Sequence, residues 1–167
     1  MCRWMAYKGE PIYIEEWLLN SKHSLIEQSL SAEMSTFEVN GDGFGLGWYA
    51  DKTTPGLFKS IRPAWNNANL KSLAANVNSG LFIAHVRAAT GTPIQETNSH
   101  PFQFNNWLMV HNGIIHNFSK VKKDIVELID GQYFVCRPRS YRLIGIITNQ
   151  NYGSITFSDI IEILSFY

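Results

Sequence analysis

A short apolar segment with alternating glycines, FGLGWY at residues 44–49, places the tightest limit on how this chain can fold. Its composition and alternation predict a β-strand, and its glycines leave one face of that strand without side chains. Glycine inside a strand usually marks a place where another backbone or a ligand approaches closely. The segment therefore predicts a strand whose bare face is covered by a neighbouring backbone or by a ligand.

Two further apolar segments have the composition of strands and end in polar residues. The first is LFIAHVR at residues 81–87, and the second is WLMV at residues 107–110. The pattern also predicts strands at residues 2–7, 57–61 and 141–148, and helices within residues 12–31, 69–77, 119–129 and 158–166. A turn is predicted at residues 8–11, where glycine and proline cluster.

The composition limits the class of protein and of partner. With 45% hydrophobic and 17% charged residues, 167 residues suffice for one globular domain with a sizeable core. A formal net charge of zero argues against nucleic acid or an anionic membrane as partner and suits a small neutral or zwitterionic substrate. No apolar run is long enough to span a bilayer, and two cysteines make no disulfide framework. We therefore expect a cytoplasmic protein without a membrane partner.

Cys2 is the first candidate catalytic residue. If Met1 is removed during maturation, Cys2 carries a thiol and a free α-amine on the same residue. An α-amine titrates near about 8, so a useful fraction is unprotonated at neutral pH and can take the proton of the thiol. The activated sulfur can then attack a carbonyl carbon. The alternative is a cysteine that packs as a small hydrophobic side chain.

Polar pairs at two predicted strand ends supply candidate binding groups. The guanidinium of Arg87 can hold a carboxylate through two parallel hydrogen bonds, and Thr90 can add a hydroxyl donor, although an arginine is also common in surface ion pairs. The side-chain amide of Asn112 and the backbone N–H of Gly113 are donors suited to the charge that develops on an attacked carbonyl oxygen. An Asn-Gly pair is, however, also typical of a plain turn.

Three histidines lie in or beside these strands, but their spacing matches no known metal site. We expect His85, His100 and His111 to be buried, hydrogen-bonded groups that support the site, and we expect no metal ion and no cofactor. Cys136 has no neighbouring base in the sequence and is expected to be inert.

Five short segments occur in the order that is found in class II glutamine amidotransferases. They are MCR at residues 1–3, NGDGFGLGWY at 40–49, AHVRAAT at 84–90, NSHPF at 98–102 and HNG at 111–113. Over residues 1–134 the chain resembles this family. It is most similar to the stand-alone branch that includes the γ-glutamyl amidohydrolase of the ergothioneine pathway.

This resemblance implies an α+β fold, the four-layer αββα sandwich of the N-terminal-nucleophile hydrolases. It also implies that Cys2 is the nucleophile and that its α-amine is the base. Arg87 and Thr90 would bind the α-carboxylate of the substrate, and Asn112 with Gly113 would form the oxyanion hole.

The tail, residues 135–167, departs from the family pattern. Relatives usually carry a Thr-Asp-Ser-Glu segment whose aspartate binds the α-ammonium of the substrate. Here the nearest counterpart is Thr148-Asn149-Gln150, with Asn149 in the position of the acid. The rest of the tail resembles no part of the family, so the domain is expected to be incomplete at its C-terminal end.

The expected activity is hydrolysis of a γ-glutamyl amide, either glutamine or a γ-glutamyl conjugate, through a thioester on the N-terminal cysteine. The alternatives are a catalytically inactive, truncated family member and a non-catalytic partner subunit. A protein partner or a homo-oligomer stays open, and these residues do not determine the leaving group.

Overall fold

The computed structural model describes residues 2–30, 39–89, 93–112 and 161–164, together with Lys120 and Lys123. The helices are α1 (Glu15–Leu18), α2 (Leu25–Leu30) and α3 (Ala68–Asn76), with short 3₁₀ turns at Ala64–Asn66 and Glu96–Asn98. The strands are β1 (Arg3–Tyr13), β2 (Phe44–Tyr49), β3 (Gly56–Ser60), β4 (Asn78–Val86), β5 (Phe102–Phe104), β6 (Trp107–His111) and β7 (Ile161–Leu164).

The first sheet is antiparallel, with the strand order β1-β4-β2-β3. The apolar strand β4 lies between β1 and β2, so that Trp4, His85 and Gly45 are neighbours across three strands. Directly paired residues of antiparallel strands share one face of the sheet. This register places the bare positions of β2 on the same face as His85.

The second sheet has the order β5-β6-β7 and is also antiparallel. Met109 of β6 pairs with Phe102 on one side and with Ile163 on the other. The helix expected at residues 158–166 is wrong, because residues 161–164 form β7. Alternating isoleucines favour a strand, and the free edge of β6 supplies the backbone partners that override the helical pattern.

The larger core lies between the first sheet and the three helices. Alternate residues of the two central strands point to this side, since side chains of a strand alternate between its faces. The buried members are Ile14, Leu18, Leu25, Ile26, Phe44, Leu46, Ala64, Leu70, Ala74, Phe82, Ala84 and Val86.

A second core lies between the two sheets and is formed by Tyr49, Leu81, Ile83, Leu108 and Val110. The glycines of β2 face this side, as the sequence predicts. A Cβ atom on Gly45 would overlap the main-chain carbonyl of His100, and one on Gly47 would meet Leu108 and Pro101. The neighbouring backbone that the sequence pattern required is therefore the loop before β5.

The described residues thus form a layer of helices and two antiparallel sheets, which confirms a mixed α/β fold. Strand β1 is longer than expected. It continues through the predicted turn at residues 8–11, with a shift of register between Lys8 and Ile12, because the first residues of β4 pair with its second half. Among the described residues, no helix is long and apolar enough to cross a membrane.

Candidate active site

Cys2 lies immediately before β1, beside the segment that follows β4. Its Sγ donates a hydrogen bond to the carbonyl oxygen of Ala88 at 3.3 Å and accepts one from the backbone N–H of the same residue at 3.3 Å. Cys2 is only half-buried, whereas Ala88 is buried. The side chain is therefore held on one side by the main chain and is accessible on another, as a nucleophile must be.

Asn112 follows β6 directly and reaches across from the second sheet. Its Nδ2 donates a hydrogen bond of 2.8 Å to the main-chain carbonyl of Cys2. An amide nitrogen carries two hydrogens, so this bond uses only one of them. The structure thereby brings together two of the predicted catalytic residues.

Arg87 ends the first sheet beside Cys2. It is only 4% exposed, so the alternative of a surface ion pair is wrong. Its Nη2 donates to the carbonyl of Pro93 at 3.1 Å, and its Nη1 to the carbonyl of Asp42 at 3.4 Å. These bonds fix a buried positive charge at the end of β4, the strand that pairs with β1.

Asp42 is a site residue that reasoning from the sequence missed, because the segment 40–43 indicated only a turn. Its Oδ2 accepts a hydrogen bond of 2.7 Å from the backbone N–H of Ala89. Gly43, which follows it, has φ of +115°, a conformation that favours glycine. The sequence did contain one indication of this role. Asp42 lies between two glycines, and their conformational freedom allows its carboxylate to face another segment.

The three histidines form a cluster between the sheets, in which His85 and His100 are buried and His111, contrary to expectation, is only half-buried. The Nδ1 atom of His100 lies 2.9 Å from Nε2 of His85, and the ring of His111 packs against that of His100 with centroids 4.5 Å apart. Their expected burial and pairing are confirmed for His85 and His100, which are 1% and 8% exposed.

Burial favours the neutral forms of His85 and His100. It lowers the pKa of His85 to about 3, with smaller contributions from His111 and Arg87. It also lowers the pKa of His100, and the neighbouring His85, His111, Lys59 and Arg87 act in the same direction. The Nδ1 atom of His85 is buried without a partner. We assign the shared proton to Nε2 of His85, because a buried lone pair without a partner costs less than a buried N–H without one.

Lys59 also faces the cluster, which its sequence neighbours did not indicate. Its Nζ donates to the carbonyl of Ser99 at 3.1 Å and lies 5.7 Å from the ring centroid of Phe102. Burial lowers the pKa of Lys59, and the carboxylate of Glu96 partly opposes this shift. The lysine therefore connects the edge strand β3 to the loop that carries His100.

Four residues singled out from the sequence lie outside the described part of the chain: Thr90, Gly113, Cys136 and Asn149. Within the described part, no group of three or more His, Cys, Asp or Glu side chains could hold a metal ion. The described residues of the candidate site are therefore Cys2, Arg87 and Asn112, together with Asp42.

The family model described as class-II glutamine amidotransferases matches residues 22–158. This range contains Arg87 and Asn112 and most of the chain. The chain belongs to the class II glutamine amidotransferase family. The resemblance predicted from the five sequence segments is confirmed.

Similar proteins with curated names include an amidotransferase and a hydrolase. The chain is 41% identical over 142 residues to the probable glutamine amidotransferase DUG3 of Saccharomyces cerevisiae, covering 80% of this chain and 40% of that protein. It is 33% identical over 117 residues to the gamma-glutamyl-hercynylcysteine sulfoxide hydrolase of Mycolicibacterium smegmatis, covering 69% and 52%. The chain thus spans about half the length, or less, of these relatives.

A solved structure has the same fold over most of the chain. It is a glutamine aminotransferase class-II domain protein from Silicibacter pomeroyi, with a TM-score of 0.57 and 27% identity. The match covers 87% of this chain and 53% of that one.

Proposed function

We propose that this member of the family is a cysteine amidohydrolase that cleaves a γ-glutamyl amide through a thioester on Cys2. The observation that carries the proposal is the position of Cys2 Sγ against Ala88, with Asn112 bonded to the carbonyl of the same cysteine and Arg87 beside it. A thiol and a side-chain amide donor lie together, as acyl transfer requires, and the guanidinium of Arg87 at the end of the paired strand would bind the carboxylate of the substrate.

The first half of the reaction forms the thioester. Removal of Met1 would free the α-amine of Cys2, which takes the proton of the thiol. The sulfur then attacks the γ-carbonyl carbon, and the oxygen becomes negative. The second amide hydrogen of Asn112, together with the N–H of Gly113, would stabilise this charge. Collapse breaks the bond to the leaving amine, which receives the proton from the α-ammonium.

The second half restores the enzyme. A water molecule gives a proton to the α-amine and attacks the thioester carbonyl, again with Asn112 at the oxygen. The carbon–sulfur bond breaks, the thiolate takes the proton back, and glutamate leaves. Each turnover consumes one water and needs no cofactor.

The contacts of Sγ fit a resting thiol. A protonated sulfur donates to the carbonyl of Ala88, while the N–H of Ala88 donates to the sulfur. When the proton leaves, the first of these contacts becomes repulsive and the second becomes stronger. The sulfur is therefore expected to move from the carbonyl towards the substrate when it is activated.

Recognition of the glutamyl group is assigned to Arg87, with Thr90 for the α-carboxylate and Asn149 for the α-ammonium. The burial of Arg87 supports this role, because a buried guanidinium binds a carboxylate more strongly than an exposed one. The name of the similar mycobacterial hydrolase also supports a γ-glutamyl substrate.

The test is release of glutamate by the chain with a free N-terminus and any tag at the C-terminal end. Intact mass should show loss of Met1, and mass spectrometry should show glutamate formed from glutamine or from γ-glutamyl peptides. The Cys2→Ala variant should be inactive, while the matched Cys136→Ala variant should keep its activity. Equal glutamate release by wild type and Cys2→Ala would contradict the mechanism. No release by the wild type would favour the alternatives, an inactive family member or a non-catalytic partner subunit.

A further inference from the structure

The segment after β4 leaves the sheet just where it meets Cys2. The last bonds of the ladder run from the N–H of Arg87 to the carbonyl of Gly43, 2.8 Å, and from the N–H of Asp42 to the carbonyl of Arg87, 3.0 Å. Ala88 and Ala89 follow without strand geometry. Their orientation must therefore be fixed by contacts other than the ladder.

The 88–89 peptide unit is held at both ends. Its N–H, which belongs to Ala89, donates to Oδ2 of Asp42 at 2.7 Å, and its carbonyl, which belongs to Ala88, accepts from Sγ of Cys2 at 3.3 Å. In a trans peptide unit the N–H and the C=O point in opposite directions. Asp42 and the cysteine sulfur therefore lie at opposite edges of one rigid peptide unit.

The preceding 87–88 unit has the same arrangement. Its carbonyl, from Arg87, accepts from the backbone N–H of Asp42, and its N–H, from Ala88, donates to Sγ of Cys2. Asp42 thus forms a hydrogen bond to each of the two peptide units that contact the sulfur, at the edge opposite to the sulfur. One is held by its main chain and the other by its carboxylate.

We propose that Asp42 is a positioning residue for the nucleophile, acting through the carbonyl of Ala88. This rests on the proposed function, in which Cys2 is the nucleophile. The carboxylate fixes the 88–89 peptide unit. The carbonyl of Ala88 therefore holds the thiol in one position and orients its S–H bond. A carboxylate bonded to one end of a peptide unit also polarises the other end, which strengthens the carbonyl as an acceptor.

Two neutral variants separate the hydrogen bond from the charge. Asp42→Asn keeps an oxygen that can accept from the N–H of Ala89, whereas Asp42→Ala keeps none. Because both variants lack the charge, their difference reports the bond alone. Asp51→Ala is the control, since Asp51 is an exposed aspartate just beyond the other end of β2.

The turnover number should fall about tenfold in Asp42→Ala, because a misplaced nucleophile loses its near-attack geometry. It should fall less in Asp42→Asn, which keeps the bond to Ala89 but loses the charge that polarises the carbonyl, and it should stay near the wild-type value in the Asp51→Ala control. KM should change little in all three variants. A wild-type turnover number in Asp42→Ala would overturn the proposal, as would equal losses in Asp42→Ala and Asp42→Asn.

The ionisation of the thiol gives a readout that needs no γ-glutamyl substrate. Among the described residues, the charged side chains on the segments around Cys2 are those of Arg3, Asp42 and Arg87, and β6 contributes the titratable His111; the α-amine of Cys2 itself also titrates once Met1 is removed. Release of the Ala88 carbonyl removes an acceptor that stabilises the thiol. The pH midpoint for alkylation of Cys2 by iodoacetamide should therefore lie about half a unit lower in Asp42→Ala than in Asp42→Asn. Equal midpoints would contradict the proposal even in a chain that releases no glutamate.

If Asp42→Ala does not fold, amide spectra of the wild type decide. The Ala89 amide proton should shift as the carboxyl of Asp42 titrates, and this shift should be absent in Asp42→Asn. An Ala89 amide proton that does not follow the carboxyl would show that the bond is missing and would refute the positioning role.

Discussion

Asn112 donates a 2.8 Å hydrogen bond to the main-chain carbonyl of Cys2, so the second sheet holds the residue that carries the thiol beside the first. The two residues are 110 positions apart in the chain. The bond ties the proposed oxyanion donor to the nucleophile itself. Movement of one sheet against the other would therefore disturb both groups together.

Replacing Asn112 by Ala should lower the turnover number by a factor of roughly a hundred, the usual effect of losing one oxyanion donor. KM should change little, because the donor acts mainly after charge has moved onto the carbonyl oxygen. Steady-state kinetics of glutamate release measure both. Asn69→Ala, an exposed position on α3, is the control and should behave as the wild type. An effect on KM alone would assign Asn112 to ordinary substrate binding.

Replacing Arg87 by Lys should raise KM for the γ-glutamyl substrate by about tenfold or more, because a point charge cannot hold a carboxylate through two parallel bonds. A lysine also lacks the two separate nitrogens with which Arg87 donates to the carbonyls of Asp42 and Pro93. Iodoacetamide should still alkylate Cys2, since the nucleophile remains. The exposed Arg62→Lys variant should leave KM as it is. An unchanged KM in Arg87→Lys would remove the arginine from the carboxylate site.

The strands that position the site were predictable from local patterns. Alternation gave β2 with its true bounds, and apolar runs gave most of β3, β4 and β6. The bare face of β2 was also a correct prediction, because the need for a close neighbour follows from glycine itself. The identity of that neighbour, the loop with His100, depends on packing between the sheets and had no local signal.

The candidate site was predictable only through its motifs. Cys2, Arg87 and Asn112 are distant in sequence, and no periodicity brings them together; the family resemblance did. Asp42 was missed because its carboxylate binds a backbone N–H of another segment. Almost every residue has a backbone N–H, so the residue types do not reveal this pairing. Strand β7 was missed because its partner strand lies far away in the chain, and pairing outweighed local helical preference.

The histidine cluster predicts a loss of stability in acid. In the unfolded chain His85 titrates near its ordinary pKa of 6.5, whereas in the folded chain burial lowers that pKa to about 3. Between these values the unfolded chain binds more protons, so the free energy of unfolding decreases as the pH falls. The stability from neutral His85 is fully present above about pH 6.5 and is lost progressively towards pH 3.

Urea unfolding at several pH values between 7 and 4 measures this dependence. His85→Gln keeps a polar atom that can bond to His100 but cannot titrate, so its slope should be shallower by up to about 1.4 kcal/mol per pH unit. His23→Gln, at an exposed position, should keep the wild-type slope. Equal slopes for wild type and His85→Gln would contradict the lowered pKa of His85 in the folded chain.

The close approach of the two sheets at Gly45 predicts the cost of a single methyl group. A Cβ there would overlap the carbonyl of His100, a main-chain atom that cannot rotate away. Gly45→Ala should therefore destabilise the fold by about 1–3 kcal/mol, the usual effect of overpacking.

The control for Gly45→Ala is Gly9→Ala, on β1. The new methyl group at Gly9 would meet the side chain of Tyr7 near its hydroxyl end and none of the nearby main-chain atoms. Gly9→Ala should therefore lower the denaturation midpoint less than Gly45→Ala does. Because Gly45 lies against the loop that carries His100, Gly45→Ala should also separate that histidine from His85. The amide spectrum should then change around residues 100 and 85 before the chain unfolds. A Gly45→Ala variant with the stability and the spectrum of the wild type would show that the sheets are not packed as closely at this point.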